Sequence, residues 1–319
     1  MKLKIFLVAG TGIALSASAA VAQSVGIGST MGTAVGQMAA TISKIVSSHS
    51  GGVQLRTQAM AGTQKYIPVV NAGELQFGIA NVVQTTMAFH GTGLSAGKDY
   101  KDLRLAATLM AFRNGLLVRN DSDIKKIADL KGKRVPSGFK GAPLFYVFMD
   151  GMLANGGLTL KDVTEVPAIA LRQSWDLLKQ GKVDVVITGA GAAPTREMNA
   201  RVPSGVRFLD MDTSGPGPKK TLNILKGTYY VKMQPSKSFP AIKGPTTTLG
   251  YDFLLFTSKA VSSDVVGKVV KALYENEANL KAASPLWKTF TAKGMSKDQN
   301  LAYHPGAEAF YKKAGAWKR

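Results

Sequence analysis

Cysteine is absent from all 319 residues. Disulfides, thiol nucleophiles and thiolate metal sites are therefore excluded, and the folded state must rest on packing. Histidine is scarce: His49, His90 and His304 are the only three, and they have no metal-ligand spacing with each other or with carboxylates. Acidic residues number 20 against 40 Lys and Arg, a net charge of +20. No pair of carboxylates stands out for acid–base chemistry. After Gln23 no apolar stretch reaches the ~20 residues that a membrane helix needs, so the mature chain is not expected to span a bilayer.

The first residues point out of the cytoplasm. Met1-Lys2-Leu3-Lys4 is a short positive start, Ile5 to Leu15 is mostly apolar, and Ala20-Val21-Ala22 has the small-x-small pattern of a cleavage site. Residues 1–22 read as a secretory signal peptide and Gln23 as the first mature residue, which places the protein in the periplasm, away from the nucleotide pool. Without Lys2 and Lys4 the net charge is +18. The basic residues are dispersed, with no aromatic interleaving of the nucleic-acid-binding kind. The charge reads as a solvated surface whose field draws in small anions.

Short apolar strands alternate with helical stretches. Ser24–Gly28, Val53–Thr57 and Phe77–Ala80 read as strands, and Val35–Ser47 and Thr63–Ala72 as helices. This is a βαβαβ unit with a parallel sheet. The pattern restarts with strands at Leu103–Met110 and Leu116–Arg119, then helices at Phe145–Ala154 and Leu171–Gln180 and a strand at Val183–Thr188. A strand at Asp252–Phe256 leads into a helical tail, in which Val265–Leu280 is the longest helix. Sheets of this kind bind ligands at the carboxyl ends of their strands.

Two motifs fail for want of context. Gly26-x-Gly28-x-x-x-Gly32 is one residue too long for a dinucleotide turn and lacks the downstream acid, so no cofactor is expected. Its backbone N–H groups, with the hydroxyls of Ser29, Thr30 and Thr33, suit an anion such as a carboxylate. Gly93-Leu94-Ser95-Ala96-Gly97 matches a hydrolase elbow but has neither the strand before nor the helix after it. Asn81, Ser137, Lys140, Arg172 and Thr188 fall at strand ends or helix starts and suit a polar, cationic cleft.

The ending Tyr303-His304-Pro305-Gly306-Ala307-Glu308-Ala309-Phe310-Tyr311 resembles that of the TAXI family, the extracytoplasmic solute-binding subunits of TRAP transporters. Gly28-Ser29-Thr30, Asn71-Ala72-Gly73-Glu74-Leu75, Ile127-Ala128-Asp129-Leu130-Lys131-Gly132-Lys133-Arg134-Val135 and Lys179-Gln180-Gly181-Lys182-Val183-Asp184 recur in the expected order. The resemblance implies a type II periplasmic-binding-protein fold, two α/β lobes joined by a two-strand hinge. Lobe 1 would hold residues 23–112 and 228–319, and lobe 2 residues 113–227. It also implies a protein that is not an enzyme and delivers a small organic anion to the membrane subunits of a TRAP transporter. Ser29, Thr30, Thr63 and Asn81 would receive the anion, with Lys140, Gly141 and Arg172 closing over it.

The departures lie in the pocket loops. Met60-Ala61-Gly62-Thr63, Asn81-Val82-Val83 and Gly141-Ala142-Pro143-Leu144 replace more polar family turns. A cleft shaped by Tyr66, Val82, Val83, Phe112 and Phe139 implies a monocarboxylate with an apolar or aromatic body. Two other readings stay open: a periplasmic ligand sensor for a receptor kinase, and a secreted esterase using Ser95.

Overall fold

Strands and helices alternate from the start of the computed structural model, which describes residues 23–30 and 33–317. The signal peptide expected over 1–22, and Gly32 of the glycine-rich turn, lie outside the described residues. Strand β1 (Gln23–Ser29) leads to helix α1 (Ala34–His49), β2 (Val53–Ala59) to α2 (Thr63–Asn71), and β3 (Phe77–Asn81) to α3 (Val82–His90). Strand β4 (Leu103–Arg119) precedes β5 (Arg134–Gly138), α4 (Leu144–Leu153), β6 (Thr164–Ala168), α5 (Leu171–Lys179), β7 (Val185–Gly189) and α6 (Ala193–Arg201). Then come β8 (Val206–Phe208), α7 (Pro216–Ile224), β9 (Tyr229–Met233) and β10 (Thr246–Ser258). Helices α8 (Ser263–Tyr274), α9 (Glu277–Ala283) and α10 (Pro305–Lys313) complete the chain.

Two long antiparallel strands, β4 and β10, run through both α/β lobes and form the hinge. In lobe 1 the strand order is β2-β1-β3-β10-β4, with β1, β2 and β3 parallel. In lobe 2 the same two strands continue, with β7 and β8 against β4 and β9 against β10. Strands β5 and β6 form a small parallel sheet of their own. From Leu105 to Val118, β4 is buried except at Ala111-Phe112-Arg113, opposite Asp252, Tyr251 and Gly250. The lobes part at that crossing.

The structure differs from the sequence reading in three places. The break expected between Met110 and Leu116 does not occur. Arg113-Asn114-Gly115 looks like a turn, but pairing with β10 on one edge and β7 on the other holds it extended, and tertiary pairing outweighs weak local preference. The return to lobe 1 falls in β10 near Gly250–Asp252 rather than at residue 228, because β9 pairs with Thr246–Gly250 on the lobe 2 side. The expected helix Val265–Leu280 is two helices that part at Asn276, whose backbone leaves the helical region (φ −118°, ψ 33°).

One apolar cluster fills lobe 1 between its sheet and helices α1 and α8, with Ile27, Met38, Ile42, Val266 and Leu273 at its centre. It runs on through Tyr251 and Phe253 into the α4 side of lobe 2. A second cluster lies under α2 (Tyr66, Ile67, Val70, Phe256), and a third under α5 and α6 (Leu117, Val186, Met198). The His304-Pro305-Gly306 segment has a packing role. The His304 side chain caps α10 at the Gly306 N–H, and its other ring nitrogen meets the Val261 carbonyl at 2.9 Å. A Cβ on Gly306 would lie 2.4 Å from the Ser263 carbonyl oxygen, so glycine lets α10 close onto the start of α8.

Candidate functional site

The parallel strands of both lobes aim their carboxyl ends at the hinge. Strand β3 ends at Asn81, opposite Phe253 of β10, and β7 ends at Gly189, opposite Asn114 of β4. The connections that leave these ends start helices α1, α2 and α3 in lobe 1 and α4, α5 and α6 in lobe 2. Loops and helix starts from two lobes thus converge on one short stretch of paired strand. This is where an open α/β sheet binds ligands.

On lobe 1 the polar residues gather around α2. The α2 N-cap is Gly62, which has no side chain to satisfy the first N–H groups, so that end keeps donor capacity and positive dipole. Thr63 follows, and the Nε2 of Gln64 is buried without a hydrogen-bond partner. Ser29 is buried at the end of β1, and Thr30 beside it is partly exposed. Tyr66 lies below them, fully buried and stacked on Phe256. Its hydroxyl donates to the Ile79 carbonyl at 2.5 Å and lies 3.4 Å from the Thr63 hydroxyl, with Thr30 also against it. Burial pushes this phenol well above its usual range. Tyr66 therefore positions Thr30 and Thr63 from underneath and does not itself line the cleft.

Two other hydroxyl and amide groups are engaged in helix caps. The Thr33 hydroxyl donates to the Thr30 carbonyl and accepts from the Gly36 N–H. Asn81 accepts from the Gln84 N–H at the start of α3. Both cap the helices that frame the lobe 1 edge.

Lobe 2 keeps fewer of the expected contacts. Lys140 is exposed at the exit of β5, just after Phe139, whose φ of +38° is unusual for a side chain of that size. The Gly141 N–H is occupied by the Ile169 carbonyl at 3.0 Å. Ser137 is buried within β5. The Thr188 hydroxyl is buried 2.8 Å from that of Thr195. Arg172 lines a groove between α5 and α6 with Trp175, Asp176, Lys179 and Glu197, where its charge helps hold the Glu197 carboxyl below its usual range, after Lys179. Within lobe 2 the Gly141 N–H and the Thr188 hydroxyl are already engaged, while Arg172 is exposed beside the groove between α5 and α6. Ile169, 64% exposed, stands beside Gly141 and gives this edge an apolar element.

The expected apolar lining is also altered. Tyr66, Val82, Val83 and Phe139 are all buried to 1% exposure or less, whereas Phe112 stays partly exposed at the hinge. Its ring packs on Gly189, where a Cβ would fall 2.4 Å from the ring. It also meets Tyr251 and Phe253, with centroids 5.5 and 5.7 Å away.

The two faces of the hinge differ. Phe112, Asn114, Tyr251 and Phe253 share one face, together with Asn81. Arg113 and Asp252 share the other. There the Asp252 carboxylate accepts from the Tyr229 hydroxyl (3.1 Å), Lys297 Nζ (2.5 Å) and Gln299 Nε2 (2.9 Å). The Phe112 face carries Asn81, the last residue of β3, and the Phe112 ring rests on Gly189, the last residue of β7, so the strand ends of both lobes meet on this face. Sequence reasoning missed Gln64, Asn114 and Tyr251, since an amide inside an apolar strand run reads as a break, not as a site.

Ser95 does not form a hydrolytic site. It sits in a 3-10 turn after α3, is 1% exposed, and its hydroxyl has no hydrogen-bond partner, histidine included. A recess of about 240 Å³ lined by Phe89, His90, Tyr100, Lys101 and Arg104 opens at the far end of lobe 1, about 25 Å along β4 from the hinge. Among the described residues, no cluster of His, Asp and Glu could hold a metal, and no helix is long and apolar enough to cross a membrane.

Comparison with known proteins agrees with this architecture. Residues 25–315 match the NMT1-like family, and the chain belongs to it. A solved periplasmic transporter structure is similar at 15% identity and TM-score 0.56, with 92% of this chain and 93% of that one covered. A binding-protein component of an ABC phosphonate transporter from Pseudomonas aeruginosa gives 12% identity, TM-score 0.54 and coverage of 88% and 83%. The periplasmic aliphatic sulphonate binding protein of Escherichia coli gives 15%, 0.51, and 92% and 88%. These likenesses establish the two-lobed periplasmic-binding-protein fold.

Proposed function

We propose that this protein is an exported solute-binding protein that captures a small organic anion between its lobes and presents it to a membrane transporter. The carrying observation is the convergence of both lobes' strand ends on the exposed crossing at Ala111–Arg113. The anionic head docks at the uncapped start of α2, with Thr30, Thr63 and Gln64 as donors. Lys140 approaches from lobe 2 with a point charge. An apolar body lies toward Phe112 and Ile169. A monocarboxylate with an aromatic or branched body fits this division better than a dicarboxylate, because one donor cluster faces a largely apolar remainder. Only a ligand that touches both lobes can favour closure.

The resemblance to the TAXI family supports delivery to a TRAP-type secondary transporter. The sulphonate- and phosphonate-binding proteins that share the fold support the alternative of an ABC permease. Uptake into vesicles holding the cognate membrane subunits separates the two: an ion gradient drives the first and ATP the second. The binding itself is tested by calorimetry and solution scattering of mature protein with monocarboxylates, sulfonates, phosphonates and dicarboxylates. Heat on mixing with a decrease in radius of gyration is expected. No heat and an unchanged profile across the panel would refute it. A receptor-kinase sensor would bind the same anion but drive no uptake.

A further inference from the structure

The ligand-side face of the hinge holds two buried polar side chains, one of them with an unpartnered oxygen. Asn114 is 2% exposed, and its Oδ1 is buried without a partner. Tyr251 is 5% exposed, and desolvation by burial is what acts on its hydroxyl. Tyr251 pairs directly with Phe112, and Asn114 is two residues further along β4. The two are therefore diagonal neighbours on one face, ~7 Å apart at their Cα atoms, with the Phe112 ring beside both. Phe148 and Phe253 close the apolar surround, 5.4 and 5.6 Å from the Tyr251 ring by centroid.

A buried amide oxygen without a partner is uncommon, because its desolvation is uncompensated. This one lies where both lobes meet, in an otherwise aromatic box. Burial raises the Tyr251 phenol, so it stays protonated and remains a donor. The amide offers an acceptor and a donor, and the phenol offers both roles through one oxygen. The group that satisfies them must itself donate and accept, and a hydroxyl does both.

We propose that Asn114 and Tyr251 form a polar subsite at the hinge that selects ligands with a hydroxyl on the apolar body, making hydroxylated monocarboxylic acids the preferred class. The proposal rests on the anion-binding reading above and adds the far end of the ligand to it. A site built to hydrogen-bond a hydroxyl rejects the analogue that lacks it, because its own buried groups are then left unpaired.

The test is calorimetry on the mature chain with two matched pairs: benzoate with 4-hydroxybenzoate, and isovalerate with 3-hydroxyisovalerate. In wild type the hydroxylated member of at least one pair should bind about ten-fold tighter or more. Asn114→Leu and Tyr251→Phe should bring that ratio close to one and leave the unsubstituted acid within about three-fold. Asn114→Leu should unfold in urea at or above the wild-type midpoint, because it removes an unpaired buried amide oxygen. A merely structural role would lower that midpoint. Equal affinity within both pairs, or a ratio that survives both substitutions, overturns the subsite and leaves the anion-binding reading intact. Failure of all four acids, and of every other anion in the wider panel, overturns both.

Discussion

Replacing Tyr66 with Phe isolates what one buried hydroxyl contributes beneath the site. The ring keeps its stack on Phe256, 6.4 Å by centroid, so no cavity opens. What is lost is the hydrogen bond to the Ile79 carbonyl and the contact with the Thr63 hydroxyl. Tyr66 is 0% exposed, so water cannot replace them. A buried carbonyl left without its partner costs about 1–3 kcal/mol. With the ring retained, a loss of about 1.5 kcal/mol is expected, a fall in melting temperature of roughly 2–3 °C for a chain of this size. Urea unfolding should show a lower midpoint at an unchanged slope. The loss should appear without ligand as well as with it, because Tyr66 supports the floor from below and does not itself touch the bound anion. An unchanged midpoint, or a loss seen only with ligand present, would refute this account. Tyr66→Ala should cost about 4 kcal/mol, since a buried aromatic is removed as well.

Three further outcomes follow from the packing. Gly306→Ala places a methyl 2.4 Å from the Ser263 carbonyl oxygen and should destabilise by about 1–3 kcal/mol, read as a lower melting temperature; a neutral result would mean that α10 does not dock as described. Burial depresses the His304 imidazole below its usual value of 6.5, so the unfolded chain binds the extra proton first, and stability is complete above pH ~6.5 and falls as the pH drops below it. Asn is a competent cap, so His304→Asn should flatten the slope between pH 6.5 and 5, and urea midpoints of both proteins across that range would show whether it does. Ser95→Ala removes a buried, unpaired hydroxyl and should leave the urea midpoint equal or slightly higher; loss of a nitrophenyl-ester hydrolase activity on that substitution would instead revive the esterase reading.

Much of the lobe 1 edge was legible in the chain because short-range rules govern it. Thr63 starts a helix after a strand, Asn81 is a residue type that caps helices, and the glycine turn after the first strand marks a loop. Each depends on neighbours within a few residues. The surroundings of Arg172 and Thr188 were not legible, because packing chooses them: Thr195, which meets the Thr188 hydroxyl, comes from the next helix along, and no spacing in the sequence announces that α5 and α6 share a groove. Tyr66 was expected to shape a cleft and is fully buried instead, beneath Thr63 and stacked on Phe256, a burial that only the packing of α2 on β10 decides.

The amino-acid order alone determined the α/β class, the repeat of strand and helix, and the expectation of an exported, thiol-free chain. These follow from hydrophobic period, composition and local turn chemistry, all of which act over a few residues. Tertiary structure alone decided the hinge. Arg113-Asn114-Gly115 is a turn by local preference and a strand by its partners, since β10 and β7 satisfy its backbone from either side. That pairing sets Asn114 beside Tyr251, 137 positions later in the chain. No local rule reaches across that separation.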